Sequence, residues 1–348
     1  MSNPSPINIV TSPVITVEPG RAALKGEVMW KVVIGSDTMN ANANDSQLYV
    51  ALRQMTSPNL HLMSQNSGEL AVIGSVRRLR PLMGTFCAIE ASAEVSACRD
   101  SLDVVVNRAY ASIHQVINLM HPVHGLDLSR INRTVDQVIQ VNELTWQVLQ
   151  LAKHISECSN GVFDPCLPSH AGRMRDVELL PDNQVMCHAA VMLDLGGIAK
   201  GFAVDCAIDV LKGAGCIGGV VNAGGDVRVF GKPQSMFIQH STRLTTSKSV
   251  HPEPVEGFMQ TAAGVSQLEL CDQALAVSDF NLADRPVEHQ GYYQRNSQTL
   301  PIHQRIAVVA KSAAVADALT KCGMWQDIEV SEQLCKTFDA KIVIAEKL

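Results

Sequence analysis

The stretch "LDLGGIAKGFAVD", residues 193–205, places two adjacent glycines and a lysine between an apolar run and a segment with helical apolar spacing. A glycine in a helix interior costs about 1 kcal/mol relative to alanine, so glycines at such a junction need a reason. One reason is an anion site: glycines at a helix start let backbone N–H groups approach an anion, and the helix dipole adds attraction. Gly196, Gly197 and Lys200 are the candidates, and tight helix–strand packing is the alternative interpretation.

The rest of the chain predicts strands and helices without a regular βαβ repeat, which is typical of an α+β fold. The junction itself matches neither G-x-G-x-x-G nor G-x-x-x-x-G-K-[ST], so neither a Rossmann site nor a Walker loop is supported. Predicted helices are 102–120, about 143–158 with Asn142 as N-cap, the segment after the junction, and a short helix from Ser312 to Gly323. Predicted strands are 80–92 around a turn at Gly84, a hairpin over 218–231, 305–310, and "AKIVIAE" near the C-terminus.

Composition excludes several classes of function. A net charge of -6 and an aromatic content of 4% argue against a nucleic-acid-binding surface. No run approaches the roughly 20 apolar residues of a transmembrane segment, and the N-terminus lacks the pattern of a signal peptide. The cysteines form neither a C-x-x-C pair nor a zinc-ligand spacing, so we expect reduced, mostly buried thiols and a cytoplasmic protein.

Two segments differ from the periodic part of the chain. Residues 1–75 are rich in Ser, Asn, Pro and Met, and we expect a poorly ordered or weakly packed extension before one domain over 76–348. Residues 244–264 contain two prolines and no apolar period, which predicts an inserted surface loop.

Two short turn motifs carry carboxylates. "NAGGD" (222–226) is a glycine turn that ends in Asp226, a pattern more typical of a hairpin whose aspartate bonds local backbone than of a binding site. "GVFDPC" (161–166) predicts a turn fixed by Pro165, with Asp164 as its polar anchor.

A third motif lies on the predicted late helix. In "VADALTK", Asp317 and Thr320 are three residues apart and therefore share a helix face. A carboxylate and a hydroxyl so placed suit Mg²⁺, although capping in solvent is the commoner use of such a pair.

Several of these motifs occur in the order and approximate spacing of one family. They are "MGT" (83–85), "LSRIN" (128–132), "GVFDP", "LDLGGIAKGFAVD", "NAGGD" and "ADAL" (316–319). From about residue 77 to the C-terminus the chain resembles the ApbE-type FAD:protein FMN transferases. The resemblance implies the α+β fold of that family, with FAD in a groove and Mg²⁺ at its pyrophosphate.

The resemblance also implies a reaction, in which a threonine or serine hydroxyl of a target protein attacks the FMN phosphorus of FAD and AMP leaves. Such chemistry depends on neutralised pyrophosphate charge and an in-line hydroxyl. The family's metal site implies Mg²⁺ at the backbone carbonyl near Ala199 and at the side chains of Asp317 and Thr320. Asp317 and Thr320 are also the expected catalytic residues. The expected FAD contacts are Met83, Asp164, Gly196, Gly197, Lys200, Gly225 and Asp226.

The sequence departs from the family pattern in two main regions. The late helix of the family carries Thr four residues after Asp, whereas here position 321 is a lysine and Thr320 comes one residue early. The family's Thr-Ser-Gly segment and His-Ile-x-Asp-Pro motif are missing after "AVSDF" (276–280). His289 and His303 lack the right neighbours and are more typical of solvated loop histidines.

Smaller departures are Cys166, where the family has the Thr of "FDPT", and Leu126-Asp127, where it has Ser-Glu. Three functions therefore remain open at this point: a divergent flavin transferase, a flavin-binding or interaction protein without transfer activity, and a FAD pyrophosphate hydrolase in which water replaces the protein hydroxyl.

Overall fold

The chain divides between Ser57 and Pro58 into two compact units. The computed structural model describes residues 15–19, 29–34, 37–42, 62–64, 70–94, 100–124, 126–239, 258–261, 265–279 and 301–347. In the first unit, three strands form an antiparallel sheet in chain order: β1 (Ile15–Pro19), β2 (Met29–Ile34) and β3 (Asp37–Asn42).

The second unit is built on an eight-stranded, wholly antiparallel sheet of order β17-β16-β15-β11-β10-β6-β5-β4, with two three-stranded sheets, β12-β14-β13 and β7-β9-β8. The strands are β4 (Leu62–Ser64), β5 (Leu70–Leu82), β6 (Thr85–Glu94), β7 (Ile139–Gln140), β8 (Val177–Leu180), β9 (Gln184–Cys187), β10 (Gly218–Ala223), β11 (Asp226–Phe230), β12 (Gln234–Gln239), β13 (Phe258–Thr261), β14 (Val265–Leu270), β15 (Ala274–Asp279), β16 (His303–Ala310) and β17 (Lys341–Lys347).

The helices of this unit are α1 (Leu102–Met120), α2 (Leu128–Ile131), α3 (Glu143–Cys158), α4 (Ala199–Gly213), α5 (Ala313–Trp325) and α6 (Ile328–Thr337). The predicted bounds of α1 and α3 are confirmed, and the Asn142 side chain caps α3 by accepting the N–H of Leu144 at 3.0 Å. None of the helices in the described ranges is both long and apolar enough to cross a membrane.

The main core lies between the large sheet and the helices α1, α4 and α5. Helix α4 contacts both α1 and α5, and α5 packs on β15 and β16. Large side chains are completely enclosed there, among them Ile89, Ile113 and Ile208. Because burying such a side chain contributes about 1.5–3 kcal/mol, this packing determines where α4 and α5 begin relative to each other. The mixed helices and antiparallel sheet confirm the predicted α+β class.

Helices α4 and α5 are also joined by one carboxylate. Asp205 on α4 accepts from the Arg228 guanidinium at 2.8 Å and from the Ser312 hydroxyl at 2.7 Å. It also accepts the backbone N–H groups of Ala313 and Ala314, each at 2.9 Å. The first turn of a helix has backbone N–H groups without a partner inside the helix, and two of those of α5 donate to a residue more than 100 positions earlier in the chain.

The structure differs from the predicted boundaries in three places. Strand β5 runs through the expected boundary at residue 75, because it pairs with β6 from Ile73 to Leu82. Residues 258–261, inside the expected loop, form β13 against β14; 244–257 and 262–264 lie outside the described residues. Gly323 does not end α5, because it lies inside the helix against Ile306.

Candidate functional site

Two of the motifs hold the backbone segment that leads into α4. Asn132 of "LSRIN" accepts the N–H of Leu193 at 2.7 Å and donates to its carbonyl oxygen at 2.9 Å. The N–H of Asp194 then donates to the carbonyl oxygen of Pro165, in the "GVFDP" turn, at 2.9 Å. Three segments far apart in the sequence therefore fix the backbone that leads into the glycines.

Two further motifs meet at neighbouring turns. The hairpin tip between β5 and β6 holds Met83, and the turn between β10 and β11 holds Gly225. The two turns touch: a Cβ added at Gly224 would lie 2.7 Å from the Cγ2 of Thr85, and the Gly224 N–H donates to the carbonyl of Phe86 at 3.2 Å. Gly224 and Gly225 have φ of 63° and 102°, a region that favours glycine.

Asp226, which follows this turn, is buried and faces α4. Its carboxylate lies 3.1 Å from the Nζ of Lys200. The local backbone bond expected of Asp226 is made instead by Asn222, whose Oδ1 accepts the N–H of Gly225 at 3.1 Å. Burial raises the pKa of Asp226 to about 6, the nearby Asp317 carboxylate adds to the rise, and the two lysines Lys200 and Lys321 oppose it.

The late-helix pair, Asp317 and Thr320, is completely buried. The Thr320 hydroxyl donates to the Asp317 carbonyl oxygen at 2.6 Å and lies 2.7 Å from the Ser278 hydroxyl. The Nζ of Lys321 lies 2.7 Å from Asp317 Oδ1, 2.6 Å from Ser278 Oγ and 3.1 Å from Thr320 Oγ1. Asp317 and Thr320 are thus brought together as predicted, around a lysine ammonium.

The glycines before and inside α4 serve different purposes. A Cβ at Gly201 would lie 2.2 Å from the carbonyl oxygen of Ala313, so this glycine permits close helix packing. Its N–H donates to Asp317 Oδ2 at 3.3 Å. A Cβ at Gly197 would make only ordinary contacts, 3.4 Å from Phe163 and 3.5 Å from Lys321. Packing is therefore the reason for Gly201 but not for Gly197.

The other predicted residues of this stretch lie in and around the first turn of α4. The helix begins at Ala199, which is half-buried and directly precedes Lys200. Gly196 is exposed, and its N–H donates to the Asp194 carboxylate at 2.9 Å.

A groove of about 580 Å³ opens beside Lys321 and Phe163. Its size lies within the range of small-molecule sites. Asp164 lies in its wall and, as predicted, anchors its turn, since its Oδ1 accepts the N–H groups of Cys166 and Met174 at 2.9 and 3.2 Å. The charged side chains that line the groove are Lys153, Glu157, Asp164, Arg173, Arg175 and Lys321. The excess of cations suits an anionic ligand.

Several of these residues are missing from the sequence prediction. Lys321 was noted only as a departure from the family pattern, although its position four residues after Asp317 has the spacing of helical ion pairs. Ser278, Arg173 and Arg175 carry no local signal, since they reach the site only through the fold. One prediction is wrong: His303 is buried in β16, with Nδ1 2.8 Å from the Gly323 carbonyl oxygen. His289 lies outside the described residues.

The Mg²⁺ site expected at Ala199, Asp317 and Thr320 does not fit this arrangement. The oxygens present are of the kind that Mg²⁺ prefers. However, the Lys321 ammonium already contacts the Asp317 carboxylate and both hydroxyls. Within the described ranges, no group of three or more His, Cys, Asp or Glu side chains could hold a metal ion.

The profile of the ApbE family matches residues 83–170 and 169–344, well over half of the chain. The fold and the assembled motifs therefore define the class, and the chain belongs to the ApbE family. A search of curated protein sequences finds no match.

Solved structures share the fold at low sequence identity. The apo flavinyl transferase ApbE of Pseudomonas stutzeri is 18% identical, with a TM-score of 0.61 over 79% of this chain and 92% of that one. The flavin transferase ApbE of Vibrio cholerae is 17% identical, with a TM-score of 0.60 over 78% and 93%. An ApbE protein of Thermotoga maritima is 19% identical, with a TM-score of 0.59 over 79% and 97%.

Proposed function

We propose that this protein is a flavin transferase that moves FMN from FAD to a threonine or serine hydroxyl of a target protein and releases AMP. The observation that carries the proposal is the convergence of "MGT", "GVFDP", "GGIAKG", "NAGGD" and "DALTK" at one end of α4, beside a groove with excess positive charge. Two of the structures named above are flavin transferases, and their likeness to this chain supports the proposal.

In the proposed complex, the FAD pyrophosphate lies near Gly197, where the groove wall carries Lys321 and where α4 presents Lys200. The excess positive charge of the groove, to which Lys153, Arg173 and Arg175 also contribute, lowers the electrostatic barrier to attack by an oxygen nucleophile. The acceptor oxygen bonds to the FMN phosphorus, the bond from that phosphorus to the bridging oxygen breaks, AMP leaves with that oxygen, and the hydroxyl proton passes to solvent or to a carboxylate. Asp317 and Thr320 have a positioning role, because they hold the Lys321 ammonium.

We propose the remaining FAD contacts from the positions of the residues in the fold. Met83 and Gly225 lie on the two touching turns, Asp226 orients Lys200, and Asp164 shapes the groove wall. The cytoplasmic location stays a prediction from the sequence.

A second candidate is a flavin-binding protein without transfer activity. The observation that favours it is the Lys321 ammonium, which contacts the oxygens of Asp317 and Thr320 expected to bind the metal ion, together with the missing His-Ile-x-Asp-Pro motif.

The test is incubation of the purified protein with FAD and a candidate acceptor protein, in parallel with Mg²⁺ and with EDTA. Covalent flavin on the acceptor, detected by in-gel fluorescence with an equal amount of AMP, supports transfer. Intact bound FAD supports the second candidate, whereas AMP and FMN without an acceptor identify a pyrophosphate hydrolase. Lys200→Met should reduce transfer, and Lys212→Met, an exposed lysine on the same helix, is the matched control.

A further inference from the structure

Lys321 occupies the centre of a shell of oxygen atoms. Its Nζ lies 2.6 Å from the Ser278 hydroxyl, 2.7 Å from the Asp317 carboxylate and 3.1 Å from the Thr320 hydroxyl. A fourth oxygen, the Asp317 carbonyl, is 3.4 Å away. An ammonium has three N–H donors, and the three nearest oxygens account for all of them.

We infer that the Lys321 ammonium is the resident cation of this site and that it excludes a divalent metal ion. A carboxylate, two hydroxyls and a carbonyl are hard oxygen donors of the kind that bind Mg²⁺, which requires distances of about 2.0–2.1 Å. An ion at that distance from the same oxygens would lie within a few ångströms of the ammonium. The two like charges would then repel each other in a buried, poorly screened setting.

The charge balance of the cluster supports this inference. Asp317 and Asp226 are both buried, and each has a lysine partner, Lys321 at 2.7 Å and Lys200 at 3.1 Å. These two carboxylates and two ammoniums sum to zero charge, so the cluster does not require a further cation. Removing Lys321 would instead leave a buried carboxylate without its closest positive partner, and buried charges need such partners.

The lysine is held in place by its surroundings. Its side chain is 17% exposed, and it follows Asp317 by four helical positions, an orientation that favours the ion pair. Its stem passes Gly197, where a Cβ would lie 3.5 Å from the Lys321 Cγ. Because the cation is tethered by the chain, its position does not depend on the metal concentration in solution.

This inference goes beyond the proposed function, and its test uses neither FAD nor an acceptor. Mn²⁺ is titrated into the purified full-length protein, and bound ion is measured by electron paramagnetic resonance. Wild type should show no saturable binding. Lys321→Thr should bind one Mn²⁺ at least about tenfold more tightly and should melt at a higher temperature when Mn²⁺ is present.

Two controls define the site. Lys336→Thr, which removes an exposed lysine of α6, should behave as wild type, and Lys321→Thr combined with Asp317→Asn should lose the acquired binding. Saturable Mn²⁺ binding by wild type that Asp317→Asn abolishes would overturn the inference. A folded Lys321→Thr that binds no better than wild type would overturn it as well. If Lys321→Thr does not fold, Lys321→Gln takes its place, and the wild-type titration decides by itself.

Discussion

Two regions around helix α4 contain buried carboxylates. We call the region where Asp205 meets Arg228 and α5 the closed side, and the region where Asp226 meets Lys200 the open side. On the closed side, Asp205 is bonded by Arg228 and by the first turn of α5, and every donor belongs to a packed part of the fold. On the open side, Asp226 is paired with Lys200, whose side chain is 37% exposed beside the groove end of the helix. Asp205, with its fixed donors, holds the fold together, whereas Asp226 holds the Lys200 ammonium where a ligand can reach it.

The pKa values of the two carboxylates shift in the same direction for the same reason. Burial raises the pKa of Asp205 even though Arg228 and the backbone N–H groups of α5 oppose the shift. Burial and the Asp317 carboxylate raise the pKa of Asp226 to about 6. Both aspartates are buried, so the two sides differ in how accessible the basic partner of the aspartate is: Arg228 is mostly buried, whereas Lys200 is partly exposed.

The largest effect is expected on the closed side. Asp205→Ala should lower the free energy of unfolding by about 3–5 kcal/mol, because it leaves the mostly buried Arg228 without its partner and two helix N–H groups without an acceptor. Urea denaturation measures the loss. The control is Asp209→Ala, an exposed position on the same helix, which should change stability by under about 0.5 kcal/mol. Equal losses in the two variants would remove the distinction between the sides.

A smaller loss is expected from Gly201→Ala. The added Cβ would overlap the Ala313 carbonyl, so α4 and α5 must separate, at a cost of about 1–3 kcal/mol. Gly213→Ala, at the other end of the helix, meets nothing within 4 Å and should be neutral or stabilising by up to about 1 kcal/mol. Melting temperatures of the two variants in opposite order would refute the close-packing account.

On the open side, Gly197→Val should weaken FAD binding about tenfold or more, equivalent to about 1.4 kcal/mol, with little change in melting temperature. The added Cβ would make only ordinary contacts, 3.4 Å from Phe163 and 3.5 Å from Lys321, and the methyl groups beyond it would reduce the space for a phosphate. Fluorescence titration with FAD measures the affinity, and Gly213→Val is the control. Unchanged FAD affinity in Gly197→Val would place the phosphates elsewhere.

The last expected effect is a pH dependence. The folded state raises the pKa of Asp226 from 3.8 to about 6, so between these values the folded protein binds more protons than the unfolded chain. The shifted pKa of Asp226 therefore stabilises the folded state fully below pH 4, and this stabilisation is lost as the pH rises towards 6. The stability of wild type relative to Asp226→Asn should therefore fall over this window, by at most about 1.4 kcal/mol per pH unit. A flat or rising difference would contradict the burial of this acid.

Local patterns in the chain were sufficient to predict most of the local elements and the family. Helices α1 and α3 were predictable because their apolar spacing and caps are local, as with Asn142 and the N–H of Leu144. The β10–β11 hairpin was predictable from the glycine turn between two β-rich runs. The motif order was enough to predict family membership, since it needs no knowledge of contacts.

Long-range packing, in contrast, sets which residues share the site and which contacts each one makes. Ser278 and Lys321 are 43 positions apart, and their contact exists because α5 packs across β15. Nothing in the local sequence separates Gly201 from Gly197, yet only the position of Gly201 faces the Ala313 carbonyl at a helix crossing. The role of Lys321 depends on the same packing. Its spacing predicts an ion pair with Asp317, but the hydroxyls that complete its oxygen shell are brought to it by the fold. The physical reason is that side-chain burial and long-range contacts are properties of the packed core and not of any local stretch.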